Sequence, residues 1–199
     1  MAEVAALVRQ CGRGKFDRWP QHALTYRQLF LRYAGLDPFD AHERELAERA
    51  RQHGVNDLEL NRRQWLDLII SVVIQPALPQ ASLTFVYDFP AAQAALARVR
   101  QDNPPVAERF ELYLGGTELA NGYQELTDAS EQARRFDMDN AERERRGQPA
   151  YKADRHLLQA LEHGLPECAG VALGVDRLLM AIVDAASISE VTAFPHSRA

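Results

Sequence analysis

The sequence predicts an α+β protein, on three observations. Residues 110–125 combine an alternating strand pattern with a glycine pair, the signature of a β-hairpin. Several blocks before residue 75 have helical spacing. Two further helical patterns, at about 128–146 and 154–163, lead into a short glycine-punctuated strand at 170–174.

Taken in order, residues 1–10 read as a short helix with Val4, Leu7 and Val8 on one face. Residues 9–18 are basic and contain Gly12 and Gly14; they read as a solvated loop, since they lack any P-loop spacing. Thr25 is a suitable N-cap for a helix carrying Leu29, Phe30 and Tyr33, which Gly35 and Pro38 end. A helix over 41–53 closes at Gly54, where a left-handed residue is wanted. Residues 56–61 form a turn into the most apolar stretch, 62–74, read as a buried helix stopped by Pro76 and Pro79. Residues 84–89 have the β-propensity of a strand closed by Pro90. Residues 91–100 read as a loop or short helix, and 101–105 as a turn.

The hairpin is the stretch densest in chemistry. Phe110, Leu112 and Leu114 alternate with Glu111 and Tyr113, and Gly115-Gly116 supplies the tight turn. In that register Leu114 faces Thr117, Tyr113 faces Glu118 and Leu112 faces Leu119. Glu111 and Glu118 become diagonal neighbours on one face, roughly 7–8 Å apart between backbones. Two carboxylates so placed repel each other unless a cation lies between them, and Mg²⁺ held by one or two carboxylates plus nucleotide phosphates fits. Asn121, Tyr123 and Glu125 share the other parity, so a bulge near 120–122 is expected to re-aim them into one pocket. Acid plus ring suits an ammonium group. The other reading is an ordinary amphipathic hairpin with a solvated charged face.

Beyond the hairpin, Asp128 and Glu131 form a D-x-x-E helix start like a capping box, and the helix ends at Gly147. Its acidic start and basic end suit the helix dipole. Arg134, Arg135, Arg143, Arg145 and Arg146 read as a solvated face. The second helix stops at Gly164 and Pro166. After the 170–174 strand, Asp176 and Arg177 open a buried helix containing Leu178, Leu179, Met180, Ile182 and Val183. An arginine at that position needs a partner, either phosphate oxygens or an acidic side chain.

Composition narrows the classes. The chain has 199 residues, 46% hydrophobic and 26% charged, in the range of an ordinary globular domain. A net charge of −5 gives no basic footprint for nucleic acid. Cys11 and Cys168 belong to no metal-ligand spacing and read as reduced thiols of a cytoplasmic protein. The six histidines are scattered, no stretch has the length of a membrane span, and the first residues form no signal peptide.

The run E-L-A-N-G-Y-Q-E-L-T-D-A-S-E-Q-A-R-R-F at 118–136 resembles the segment before motif 3 of class II lysyl-tRNA synthetases. It resembles still more closely their paralogues that lysylate elongation factor P. C-A-G-V-A-L-G-V-D-R-L-L at 168–179 is similar to motif 3 itself. T-F-V-Y-D-F-P at 84–90 and, more loosely, L-T-Y-R-Q-L-F-L-R-Y at 24–33 extend the likeness, as does the closing segment 187–199. The resemblance implies a class II synthetase-like core, an antiparallel β-sheet flanked by helices, binding ATP and a lysine-like amino acid. It implies ATP–Mg²⁺ ligands at Glu111 and Glu118, with Gly174 and the motif 3 Arg177 also at the ATP. Arg177 and Glu118 are implied as the catalytic pair. The amino-acid pocket would comprise Asn121, Tyr123, Glu125, Gly170 and Ala172. Lysyl-tRNA synthetases usually have glycine at the position of Ala172, whereas the elongation factor P branch has alanine. A methyl in a pocket wall discriminates by about 1–3 kcal/mol, enough to favour β-lysine over α-lysine.

No motif 1 or motif 2 is found, so residues 1–199 are expected to form a single partial catalytic domain with exposed apolar sheet edges. The expected activity is ATP-dependent activation of lysine or β-lysine and its transfer to a lysine of elongation factor P, by an enzyme that is a homodimer at full length. The alternatives are a lysyl-tRNA synthetase fragment, with tRNA as partner, and a non-catalytic binding module.

Overall fold

The computed structural model describes residues 1–56 and 58–195; one position of the 56–61 turn and residues 196–199 of the closing segment lie outside them. The first helix, α1 (Ala2–Cys11), buries Val4, Ala5 and Val8, while Leu7 is exposed. The apolar face is therefore Val4–Ala5–Val8, rotated away from the expected Val4–Leu7–Val8. A turn leads to β1 (Gln21–Thr25), a strand that the sequence pattern did not reveal.

Three helices then start on side-chain caps. Thr25 accepts from Gln28 N at 3.1 Å while Gln28 Oε1 accepts from Thr25 N at 3.0 Å, opening α2 (Tyr26–Tyr33). His42 with Glu45 opens α3 (Glu43–Arg51), and Asn61 with Gln64 opens α4 (Arg62–Ile69). Each box satisfies two otherwise orphan backbone donors. Gly54 has φ +85°, the left-handed turn expected after α3. The apolar helix continues past Ile69 as a π-turn, Ile70–Ile74, and a last turn, α5 (Gln75–Ala77). Pro76 lies in the first turn of α5, where its missing N–H is tolerated, so the helical path runs three residues beyond the predicted stop.

The sheet follows: β2 (Leu83–Pro90), β3 (Val99–Arg100), β4 (Val106–Leu114) and β5 (Thr117–Gln124). After α6 (Ala129–Arg145) and α7 (Arg155–His163) come β6 (Ala169–Leu173) and α8 (Val175–Val183). The strand order is β1-β2-β4-β5-β6, with β3 on the end of β4. All pairs are antiparallel except β1–β2, so the sheet is mixed rather than wholly antiparallel. That parallel pair requires a long crossover, which α2–α5 provide.

Alternation along the strands divides the core in two. On one face Val86, Phe89 and Tyr113 pack with Tyr26, Phe30, Leu46, Trp65, Ile69 and Ile74 from α2–α4 and the π-turn. On the other, Phe85, Leu112, Leu114 and Leu119 pack with Val4, Val8, Phe16 and Leu178. The turn at Gly115-Gly116 is pressed against the helical side. Gly115 has φ +61°, and a Cβ there would come within 2.7 Å of Gln80 O; one at Gly116 would come within 2.7 Å of Gln75 O.

Two local expectations change. Asp128 Oδ1 caps α6 by accepting from Ser130 N at 2.8 Å and Glu131 N at 3.0 Å, but Glu131 turns to Arg134 and Arg135 instead of reaching back, so the box is one-sided. Arg135 is not part of a solvated face: its Nη1 donates to Ala95 O and Ala97 O, tying α6 to the loop beside β5. Arg143 lies over the Tyr151 ring at 3.8 Å. Among the described residues, no helix is long and apolar enough to cross a membrane.

Candidate functional site

The hairpin register decides which side chains share a face. Leu114 pairs with Thr117 and Tyr113 with Glu118, as the two-residue turn dictates. A register shift follows: Leu112 pairs with Ala120, not Leu119, so Leu119 is the extra residue of a bulge. The bulge lies just before the expected 120–122 segment and has the expected effect. Glu118 joins the parity of Asn121 and Tyr123, while Leu119 and Ala120 both turn to the opposite core. Glu111 pairs with Asn121, and Arg109 with Tyr123. One face of β4–β5 thus carries Arg109, Glu111, Tyr113, Glu118, Asn121 and Tyr123.

β6 extends that face. Ala172 pairs with Asn121 and Gly170 with Tyr123. Just past β5, Glu125 bridges Ala97 and donates its backbone N–H to Cys168 O at 2.9 Å. Its carboxylate lies over the α-carbon of Gly170, where a Cβ would come within 2.3 Å of Glu125 Oε1. Any side chain at Gly170 would displace that acid.

Glu111 is buried, and burial pushes its carboxyl above the ordinary range. Arg109 and Tyr113 oppose that shift, while Glu118 and Asp67 add to it. Arg109 Nη2 donates to Glu111 Oε1 at 2.5 Å, and Tyr113 Oη donates to Glu111 Oε2 at 2.5 Å. Arg109 Nε donates to Asn121 Oδ1 at 3.2 Å, and its Nη1 to Gln93 O at 3.0 Å. Gln93 Nε2 donates to Asp67 Oδ1 at 2.8 Å, and burial raises the Asp67 carboxyl as well. Partial burial, with Glu125 nearby, pushes the Tyr123 hydroxyl up.

Arg177 stands at the rim, on the first turn of α8. Gly174 N-caps that helix and donates its N–H to Leu119 O at 2.8 Å, joining helix and bulge. Arg177 Nη1 donates to the backbone carbonyl of Glu118 at 2.8 Å. The helix is less buried than its composition predicts: only Leu178 is buried, and Val175, Leu179 and Val183 are exposed. Arg177 is itself exposed and forms no ion pair among the described residues, so the expected acidic partner is not what holds it.

The expected site residues therefore converge: Glu111, Glu118, Asn121, Tyr123, Gly170 and Ala172 on one face, Glu125 at its end, Gly174 and Arg177 at its edge. The sequence reading omitted Arg109, Asp67 and Gln93. Arg109 was within reach, because it precedes Glu111 by two and so shares its face; Asp67 and Gln93 arrive only through packing of α4 and the loop after β2.

The family model for class II tRNA synthetases (D, K and N) matches residues 40–198. A protein of Yersinia enterocolitica named elongation factor P--(R)-beta-lysine ligase is 45% identical over 202 residues, covering 100% of this chain and 61% of its own length. Proteins with the same name from Mannheimia succiniciproducens and Vibrio cholerae are 49% and 45% identical, with 96% and 100% of this chain and 58% and 60% of the relative covered. The chain thus spans about three fifths of the length of these curated relatives.

Proposed function

The chain belongs to the class II tRNA synthetase family of the D, K and N type, and from that premise we propose that it is the ATP- and lysine-binding part of an elongation factor P (R)-β-lysine ligase acting in the cytoplasm. The observation that carries the reading is the single polar face on which the β5 bulge gathers Glu111, Glu118, Asn121 and Tyr123 opposite Gly170 and Ala172.

In the proposed reaction the amino acid's carboxylate attacks the α-phosphate of ATP, releasing pyrophosphate and giving an acyl-adenylate. The ε-amine of a lysine on elongation factor P then attacks the acyl carbon, and AMP leaves. Glu125 and Tyr123 receive the substrate's ammonium group by charge and ring. Asn121 keeps its Nδ2 donors and a second Oδ1 lone pair for the ligand, since Arg109 occupies one lone pair. Arg177, anchored by one nitrogen to the Glu118 carbonyl, directs its remaining donors to phosphate oxygens.

Glu111 and Glu118 share one face and the Glu118 charge acts on Glu111, so these two carboxylates would be the protein ligands of a Mg²⁺ whose other ligands are phosphates. Among the described residues no three of His, Cys, Asp and Glu gather to hold a metal by themselves. The ion would offset triphosphate charge.

The reading is tested by calorimetric titration of MgATP, followed by ATP–pyrophosphate exchange with (R)-β-lysine and with α-lysine. Glu118→Gln and Arg177→Ala should abolish both signals, and Glu142→Gln near the C-terminal end of α6, where its partners are Arg145 and Arg146, should leave them intact. Equal behaviour of all three variants would sink the proposal. Ala172→Gly is expected to move the β- over α-lysine preference by about 10–200-fold, the range one methyl allows. Acceptor choice is read by offering purified elongation factor P and tRNA side by side.

A further inference from the structure

We infer that Arg109 is a positioning residue that sets the nucleotide half and the amino-acid half of the site together; this rests on the functional reading just given. Its guanidinium donates in three directions: to Glu111 Oε1 at 2.5 Å, to Asn121 Oδ1 at 3.2 Å and to Gln93 O at 3.0 Å. Its flat face lies on the Phe89 ring, 4.5 Å from the centroid. The Arg109 side chain is 17% exposed and that of Glu111 10%, so neither is free to sample other rotamers in water.

A guanidinium can only donate. Asn121 must therefore turn its oxygen to Arg109, which fixes its NH₂ group toward the open side of the face. The polarity of the amide offered to the amino acid is thus set by a neighbour that does not touch the ligand. On the same guanidinium, Nη2 fixes one oxygen of Glu111, and Tyr113 fixes the other at 2.5 Å. The clamp is in turn held by Gln93, whose Nε2 is bonded to Asp67 Oδ1 on α4 at 2.8 Å. Lysine cannot reproduce this, because an ammonium lacks the planar fork that serves two acceptors at fixed angles. Moving Arg109 moves Glu111 and Asn121 at once, though they face different ligands.

Two measurements on the 199-residue chain decide the matter. In the ligand-free protein, NMR should show an Arg109 Nε–H that exchanges slowly with solvent and speeds up in Asn121→Ala; fast exchange in the wild type would overturn the clamp. In calorimetry, Arg109→Lys should weaken MgATP and (R)-β-lysine, titrated separately, each by about tenfold or more, the loss of one charge-assisted hydrogen bond. Val8→Ala, a cavity in the core on the opposite face of the sheet, is the control for mere destabilisation and should weaken neither. Loss confined to one ligand, or equal losses in the control, would overturn the coupling. A wild type that binds neither ligand counts against the functional reading, and the clamp is then decided by the exchange measurement alone.

Discussion

Two carboxylates in this molecule are each gripped by arginine and respond in opposite ways. Glu111, on the sheet, is held by Arg109 and Tyr113, yet burial pushes its carboxyl up. Glu131, on α6, is held by Arg134 and Arg135 and is brought down to about 2. The partners differ by one cation, but the larger difference is the solvent: burial is the leading influence on Glu111, and the arginine hydrogen bonds are the leading influence on Glu131. At Glu131 water still screens and solvates, so the hydrogen bonds act almost unopposed. At Glu111 the lost hydration outweighs the Coulomb and hydrogen-bond gain. The first arrangement suits a helix surface. The second leaves a carboxylate whose charge its own partners do not fully compensate.

The largest effect should come from breaking the buried grip. Arg109→Met leaves Glu111 buried beside Asp67 without its cation and should cost about 3–5 kcal/mol at neutral pH, read by urea denaturation. The loss should shrink under acid, where Glu111 is protonated; a loss independent of pH would mean that packing of the arginine on Phe89 dominates.

Next comes the pH dependence, with opposite signs. Glu111 binds a proton more tightly folded than unfolded, so in metal-free buffer its contribution is fully present below the ordinary value of 4.5 and is lost as pH rises through the raised native value. Glu111→Gln should flatten that limb. Glu131 binds its proton less tightly when folded, so its contribution is present above 4.5 and is lost as pH falls toward about 2. Glu131→Gln should flatten the acid limb alone. Thermal melts across pH distinguish the two, and identical curves for both variants would refute the contrast.

At neutral pH, Glu131→Gln should cost no more than about 0.5 kcal/mol per pair, the scale of a solvated helix pair. Smallest should be the effect of salt: about 1 M NaCl should weaken the Glu131 cluster, because the Debye length falls to about 3 Å, and leave the Glu111 cluster nearly unchanged.

Much of this contrast was legible in the sequence. The D-x-x-E start of α6 and the hairpin around Gly115-Gly116 are local signals. They placed the Asp128 cap, the Tyr113–Glu118 pairing and the need for a bulge. What escaped is what depends on the third dimension. The bulge fell at Leu119 because two successive apolar residues, Leu119 and Ala120, both find cover on the α1–α8 side, a fact of packing rather than of pattern. β1 escaped because its pairing partner is far along the chain and its residues hardly alternate. α8 is less buried than its hydropathy suggests because only Leu178 enters the core, and an apolar run does not itself say which of its residues meets the sheet. Motif resemblance names the candidate site residues, but the contacts of Arg109 need a register, and Asp67 and Gln93 need the helix packed on the sheet.

The parallel pair at the sheet's edge has a consequence for how the chain is assembled. Gln21 meets Leu83 only after the whole α2–α5 block has been laid down. The closure entropy of that long loop is offset only once those helices are packed, so β1 is expected to join late, after the β2–β4–β5 hairpin system exists to receive it. On a ribosome, the segment around residues 21–25 would wait, unpaired, until β2 has emerged. Pulse-labelled hydrogen exchange during refolding should then show the amides of β1 protected after those of β4 and β5.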